Sequence, residues 1–201
     1  MLVLASASPR RAMLLRENGY VFEKVEVSVS EKLPAGITPE AGVKELAMRK
    51  AQAGASKWLA RGGDPLDIIL GADTLVVLDG RVFGKPKDPP AAERMLQDLS
   101  GKVHTVLTGI ALLSPTSGFI SDVAETEVRF RQISPEEIRA YVAGGEPLDK
   151  AGAYGIQGEA GNFVESCAGS LSNVMGLPME CLTEHLEAWG IERANIALHG
   201  V

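Results

Sequence analysis

Only two of the 201 residues are cysteine, Cys167 and Cys181, and neither stands in a CxxC or Cys/His metal-binding spacing. Two reduced thiols in a cytoplasmic protein are the expectation. No apolar run is long enough to cross a membrane. The first residues read as a short apolar stretch and a polar turn, so neither a signal peptide nor a membrane partner is expected. Positive charge is scarce, with 20 Lys and Arg against 26 Asp and Glu and a formal net charge of −6. With aromatics at only 5 %, this argues against stable nucleic-acid binding and against a polybasic anchor. A local cationic pocket remains open. Neither a Walker A pattern nor GxGxxG occurs, so P-loop and dinucleotide-binding readings lose their main support. No internal repeat or low-complexity segment is present.

What is present suffices for a core. The hydrophobic fraction is 45 % and the charged fraction 23 %, ordinary values for a globular chain, and residues 1–201 are expected to form one domain. Leu2 to Leu4 reads as a buried first strand. Ser8 then caps a helix that Pro9 opens, since Ser favours the N-cap and Pro the first helical position. The same cap-plus-proline start recurs at Thr38-Pro39, Asp88-Pro89 and Ser134-Pro135, the last with a capping box to Glu137. Tyr20 to Ser30 alternates in period two and predicts a half-buried strand. Ile68 to Leu78 is apolar on both faces and predicts a central strand covered on both sides. Asp79-Gly80 turns it into a short strand, Arg81 to Phe83. Lys102 to Leu113 and Phe119 to Phe130 predict a long antiparallel hairpin, and Pro178 opens a last helix. The expected class is α/β with a mixed sheet.

The polar residues that break these patterns collect at element ends. Arg10 and Arg11 occupy a first helical turn, where the dipole is already positive. They make sense beside a docked anion, although two solvated arginines fit the stretch equally well. Lys50 lies seven residues after Val43, on the same helix face, and needs a partner, a cleft or a snorkelling path to water. Asp73 interrupts the most apolar strand, where a carboxylate is costly to bury alone. Glu31 ends the alternating strand and Lys85 follows the short hairpin. Four cations and two carboxylates suit a triphosphate site with Mg²⁺ or Mn²⁺, hard ions that prefer oxygen. The segment Asp149 to Gly158, DKAGAYGIQG, cannot be a regular helix, and its glycines permit close approach to a ligand. Tyr154, Ile156 and Phe163 argue that it is ordered.

These stretches resemble the Maf, or septum-formation, family of nucleoside triphosphate pyrophosphatases. The likeness covers LASASPRR at 4–11, LAMRKA at 46–51, GADTLV at 71–76 and GKP at 84–86. It continues through LSG at 99–101, HTV at 104–106, GEPLDKAGAYGIQG at 145–158 and VMGLP at 174–178. The resemblance implies an elongated fold of the inosine-triphosphate-pyrophosphatase type, with a central cleft between two lobes. It further implies a divalent metal, a cytoplasmic location and a homodimer. DKAGAYGIQG is similar to the branch acting on dTTP and UTP rather than on 7-methyl-GTP. By resemblance Asp73 is the proton acceptor, and Arg10, Thr74 and Gln157 are positions tied to substrate choice. Ser8, Arg11, Glu31, Lys50 and Lys85 match other polar positions of the site, with Glu31 and Asp73 as metal ligands. Many relatives carry two acidic residues where this chain has Ser30-Glu31, so Asp88 is a candidate to assist. The rival expectations are 7-methyl-GTP hydrolysis and a non-catalytic nucleotide-binding regulator of septum formation.

Overall fold

The computed structural model describes residues 1–194; the end of the expected domain, 195–201, lies outside the described residues. Seven strands form one mixed sheet: β1 (Leu2–Leu4), β2 (Phe22–Lys24), β3 (Ile68–Leu78), β4 (Arg81–Phe83), β5 (Val103–Ser114), β6 (Gly118–Phe130) and β7 (Val164–Ala168). The order is β2-β1-β3-β5-β6-β7, with β4 also pairing with β3. The first three are parallel and the remaining pairings antiparallel. The helices are α1 (Pro9–Glu17), α2 (Pro39–Ala60), α3 (Pro89–Leu99), α4 (Pro135–Ala143), α5 (Leu171–Val174) and α6 (Met179–Ala188). None of the described helices is long and apolar enough to cross a membrane.

All four cap-plus-proline starts begin helices. Ser8, Thr38, Asp88 and Ser134 each accept a bond from a backbone N–H three residues on. Ser134 and Glu137 complete the reciprocal box. The predicted strand over Tyr20 to Ser30 is shorter than expected. Only Phe22–Lys24 pairs with β1, and Val25 N donates to Leu4 O (3.0 Å) before the chain leaves the sheet. The alternation persists without a partner: Val25 is buried, Val27 and Val29 half-buried, and the residues between exposed. Val21, assigned to the apolar side by the same alternation, is 72 % exposed. Pairing ends because β1 turns into the Ser6–Ser8 segment, so no strand edge continues alongside.

Strand β3 is the central, doubly covered strand that its composition predicts. Odd-numbered residues from Ile69 to Leu75 meet α2, with Val43, Ala47, Ala51 and Ala55 on the helix side. Even-numbered residues on the opposite face divide between two apolar clusters. Leu70, Ala72 and Ile110 join α1 and α6 in one; Val76, Leu78 and Phe130 join α3 and α4 in the other. The two clusters are the two lobes.

One edge of β3 is interrupted. β1 pairs with Ile68–Leu70 and β4 with Val76–Leu78. Gly71 to Leu75 therefore have no strand neighbour on that side among the described residues, and the sheet opens there. On the helix side, α2 lies unusually close to the sheet. A Cβ on Gly71 would stand 2.1 Å from Ala47 O, and one on Gly109 would stand 2.5 Å from Val43 O. Those obstacles are backbone and cannot rotate away. Gly71→Ala is therefore expected to lower stability by about 1–3 kcal/mol, the cost of overpacking. Gly84→Ala, where nothing lies within 4 Å of the added carbon, is the control. Chemical denaturation checks this, and equal midpoints for the two variants would contradict the close-packing argument.

Candidate active site

The opening in the sheet is a cleft of about 420 Å³. Because successive residues of a strand face opposite ways, Asp73 points to the α2 side and Thr74 to the lobe side. With the edge open, both line the same cleft. The close seat of α2 brings Lys50 to Asp73, and Lys50 Nζ donates to Asp73 Oδ1. The inward lysine thus has a partner and does not snorkel. Both side chains are largely buried, at 16 % and 10 % exposure, so the pair holds a fixed geometry at the cleft floor.

Arg11 is not a solvated arginine. Its Nε donates to Gly176 O (2.7 Å), Nη1 to Ser6 Oγ (3.3 Å) and Nη2 to Thr74 Oγ1 (3.2 Å). Thr108 Oγ1 donates to Asn173 O (2.9 Å), so its proton is committed and it accepts from Thr74 Oγ1 (2.9 Å). The chain Arg11–Thr74–Thr108–Asn173 therefore donates in one direction, an arrangement in which each bond polarises the next. It runs between the two apolar clusters. Burial pushes the Arg11 guanidinium below its ordinary value, and the Asp73 charge opposes that shift. The hydroxyl of Thr74 is engaged in this chain at the cleft wall.

The other expected residues lie around this floor. Ser8 Oγ accepts from Arg11 N (3.5 Å) as the N-cap of α1, with the first turn of that helix at the cleft. Arg10 stands 3.7 Å from Asp149 Oδ2 at a partly exposed position, a weak pair that a ligand can displace. Glu31 and Lys85 are exposed at the rim. The cleft thus gathers Ser8, Arg10, Arg11, Glu31, Lys50, Asp73, Thr74 and Lys85. Gln157 does not line it. It is exposed and borders a small adjoining recess with Arg10, Lys150 and Met175, all three of which the recess shares with the cleft. Asp88 is corrected: its Oδ1 accepts from Ala91 N (2.7 Å) as the N-cap of α3, and it is not among the residues that line the cleft.

Three lining residues escaped the sequence reading. Lys150 donates to Glu146 O and to Asp149 Oδ1 (2.8 Å), so the glycine-rich segment brings a fifth cation and a third carboxylate. Burial opposes ionisation of Asp149, but the bond and charge of Lys150 prevail and lower it. The signal in the sequence is the DK pair that opens DKAGAYGIQG, a segment otherwise dominated by its glycines. That segment is ordered, as its aromatic residues suggested. Gly152 N donates to Gly84 O (3.1 Å), tying it to the Lys85 turn. The left-handed Ala153 (φ 62°) costs about 1–2 kcal/mol, which the surrounding packing must hold. Tyr154 is the third missed residue. Its hydroxyl meets His104 Nε2 at 2.9 Å, with Phe130 edge-on to both rings.

Fold and site together define an α/β protein whose split sheet carries a cationic cleft with carboxylates at its floor and rim. A family model for Maf-like proteins matches residues 1–189. A dTTP/UTP pyrophosphatase of Desulfitobacterium hafniense (strain Y51) is 57 % identical over 201 residues, covering 100 % of this chain and 90 % of the relative. One of Moorella thermoacetica is 47 % identical over 192 residues, covering 95 % and 96 %. Among solved structures, the Ham1 protein of Staphylococcus aureus aligns with a TM-score of 0.52 at 15 % identity, covering 93 % of this chain and 98 % of that one. That likeness concerns the fold alone. The chain belongs to the Maf family.

The aromatic support of the cleft generates a pH prediction. Burial pushes His104 down from 6.5 to about 4, so the folded protein holds it neutral. As pH falls below 6.5 the unfolded chain takes the proton first, and stability is lost progressively toward pH 4. The shift is worth about 3 kcal/mol at one pH unit per 1.36 kcal/mol. Melting temperature is expected to fall over this window, and His104→Gln is expected to flatten the fall. Parallel profiles for the two proteins would contradict a neutral buried imidazole.

Proposed function

We propose that this chain is a nucleoside triphosphate pyrophosphatase that hydrolyses dTTP and UTP to the monophosphate and pyrophosphate. The observation that carries the reading is the Lys50–Asp73 pair at the floor of a cleft lined by five cations. The full-length relatives named dTTP/UTP pyrophosphatase supply the substrate class.

In this mechanism the triphosphate lies along the cationic walls, with Arg11 held rigid by its three bonds and Arg10, Lys85 and Lys150 around it. Asp73 accepts a proton from a water whose oxygen attacks the α-phosphorus. The bond from that phosphorus to the bridging oxygen breaks, and pyrophosphate leaves with the electron pair. Lys50 orients the Asp73 carboxylate and, with the arginines, offsets charge that grows on the phosphoryl oxygens. The donor set at the cleft is carboxylate oxygen, from Glu31, Asp73 and Asp149, which fits Mg²⁺ or Mn²⁺. Glu31 and Asp73 would hold such an ion, and it would supply further neutralisation of the phosphates. Gln157, beside Arg10, can donate and accept at once, which suits the O4/N3 edge of uracil or thymine.

Asp73→Asn preserves shape and removes the base. Turnover is expected to fall at least about a hundredfold, the usual scale for a general base, with nucleotide still bound. Near-normal pyrophosphate release would sink the role. A hydrolysis panel of dTTP, UTP, CTP and 7-methyl-GTP tests the substrate. Preference for the pyrimidines is expected, and preference for 7-methyl-GTP would overturn it. In the same panel Gln157→Leu is expected to lower kcat/KM for dTTP about tenfold or more, the worth of a lost hydrogen bond that leaves a polar group unpaired. An unchanged value would remove Gln157 from base recognition.

A further inference from the structure

We propose that Asp122, Cys181 and His185 form a zinc-binding site that ties α6 to β6, away from the cleft. Asp122 pairs with Ile110 across the β5–β6 ladder, so it faces the same side of the sheet as Ile110, which packs in a cluster with Leu182 and Leu186 of α6. Cys181 and His185 are one helical turn apart on that helix and project from one face. Their donor atoms converge. Cys181 Sγ donates to Asp122 Oδ2 (3.4 Å), and His185 Nε2 lies 2.9 Å from the same oxygen. All three ligand atoms lie within 4.8 Å of one another.

That spacing is close to what zinc needs. Bonds of about 2.0–2.3 Å in a tetrahedron place ligand atoms roughly 3.3–3.8 Å apart, so small side-chain shifts complete the set. The fourth position is open to water, because the three side chains are half-buried and not enclosed. The chemistry selects the ion. Thiolate and imidazole favour zinc over magnesium, whereas the cleft offers oxygen alone. Burial and the carboxylates of Asp122, Glu184 and Glu180 push the Cys181 thiol up to about 12, and a bound cation would offset that negative charge and draw off the proton. On binding, the Cys181 thiol releases its proton to solvent, and His185 binds through Nε2 with its proton on Nδ1. The expectation that neither cysteine has a Cys/His metal spacing is corrected: Cys181 and His185 form an i,i+4 pair on α6, and the third ligand comes from a strand 59 residues before Cys181.

The test is titration of the reduced, metal-stripped chain with Co²⁺ as a spectroscopic stand-in for zinc. Wild type is expected to develop a thiolate-to-cobalt charge-transfer band and tetrahedral d–d bands that saturate at one equivalent and disappear when zinc is added. Cys181→Ser and His185→Ala are expected to lose the charge-transfer band and the tetrahedral spectrum respectively. Cys167→Ser is expected to retain both. Pyrophosphate release with Mg²⁺ verifies that each variant is folded, and zinc is expected to raise the melting temperature of wild type but not of Cys181→Ser. Absence of the band at one equivalent in wild type, or its survival in Cys181→Ser, would overturn the site.

Discussion

The cleft depends on the contact between Lys50 and Asp73. Neither residue could be where it is alone: a carboxylate inside β3 and an ammonium on the inner face of α2 are each costly to bury. Their meeting requires the helix to lie almost flush with the sheet. Gly71 and Gly109 permit this by leaving room for the backbone of α2, and Gly54 does the same from the helix side, against Ala5 and Ile69. Small residues at Ala47, Ala51 and Ala111 continue the close seam. The seam is a packing feature, yet its effect is to set the position of a charged pair.

The second constraint is the interrupted edge of β3. A continuous sheet would hide Asp73 and Thr74 on opposite faces. Because β1 departs after Leu4 and β4 joins only at Val76, the strand presents both faces to one cleft. The polar chain from Arg11 through Thr74 and Thr108 to Asn173 then occupies the boundary between the two lobes. This chain fixes the orientation of the guanidinium and couples α1 to the sheet and to the segment around Gly176. Arg11 thereby belongs to the fold as much as to the cleft, while Arg10, one residue earlier, holds only a weak pair with Asp149 that a ligand can displace.

Much of this was legible in the sequence because it is local. Caps before prolines, a strand apolar on both faces and the Asp79-Gly80 turn are each decided within a few residues. Lys50 and Asp73 stood out because each violates the pattern of its own element. What could not be read depends on pairing partners. The alternation from Val25 to Ser30 is genuine, but whether it joins a sheet depends on where β1 turns. Gln157 carries no periodicity, so nothing in the sequence placed it in a side recess and not in the cleft. Lys150 was hidden in a stretch that its glycines dominated. In the Asp122–Cys181–His185 cluster the i,i+4 pair on α6 is visible in the sequence, but spacing along the chain does not reveal the strand residue that meets it.

The proposed chemistry makes a specific statement about which bond is broken. Hydrolysis in heavy-oxygen water, followed by mass analysis of both products, tests it most directly. Attack at the α-phosphorus, by water activated at Asp73, predicts that the label enters the nucleoside monophosphate and that pyrophosphate is unlabelled. Label in pyrophosphate, or release of labelled orthophosphate with a nucleoside diphosphate, would contradict the account.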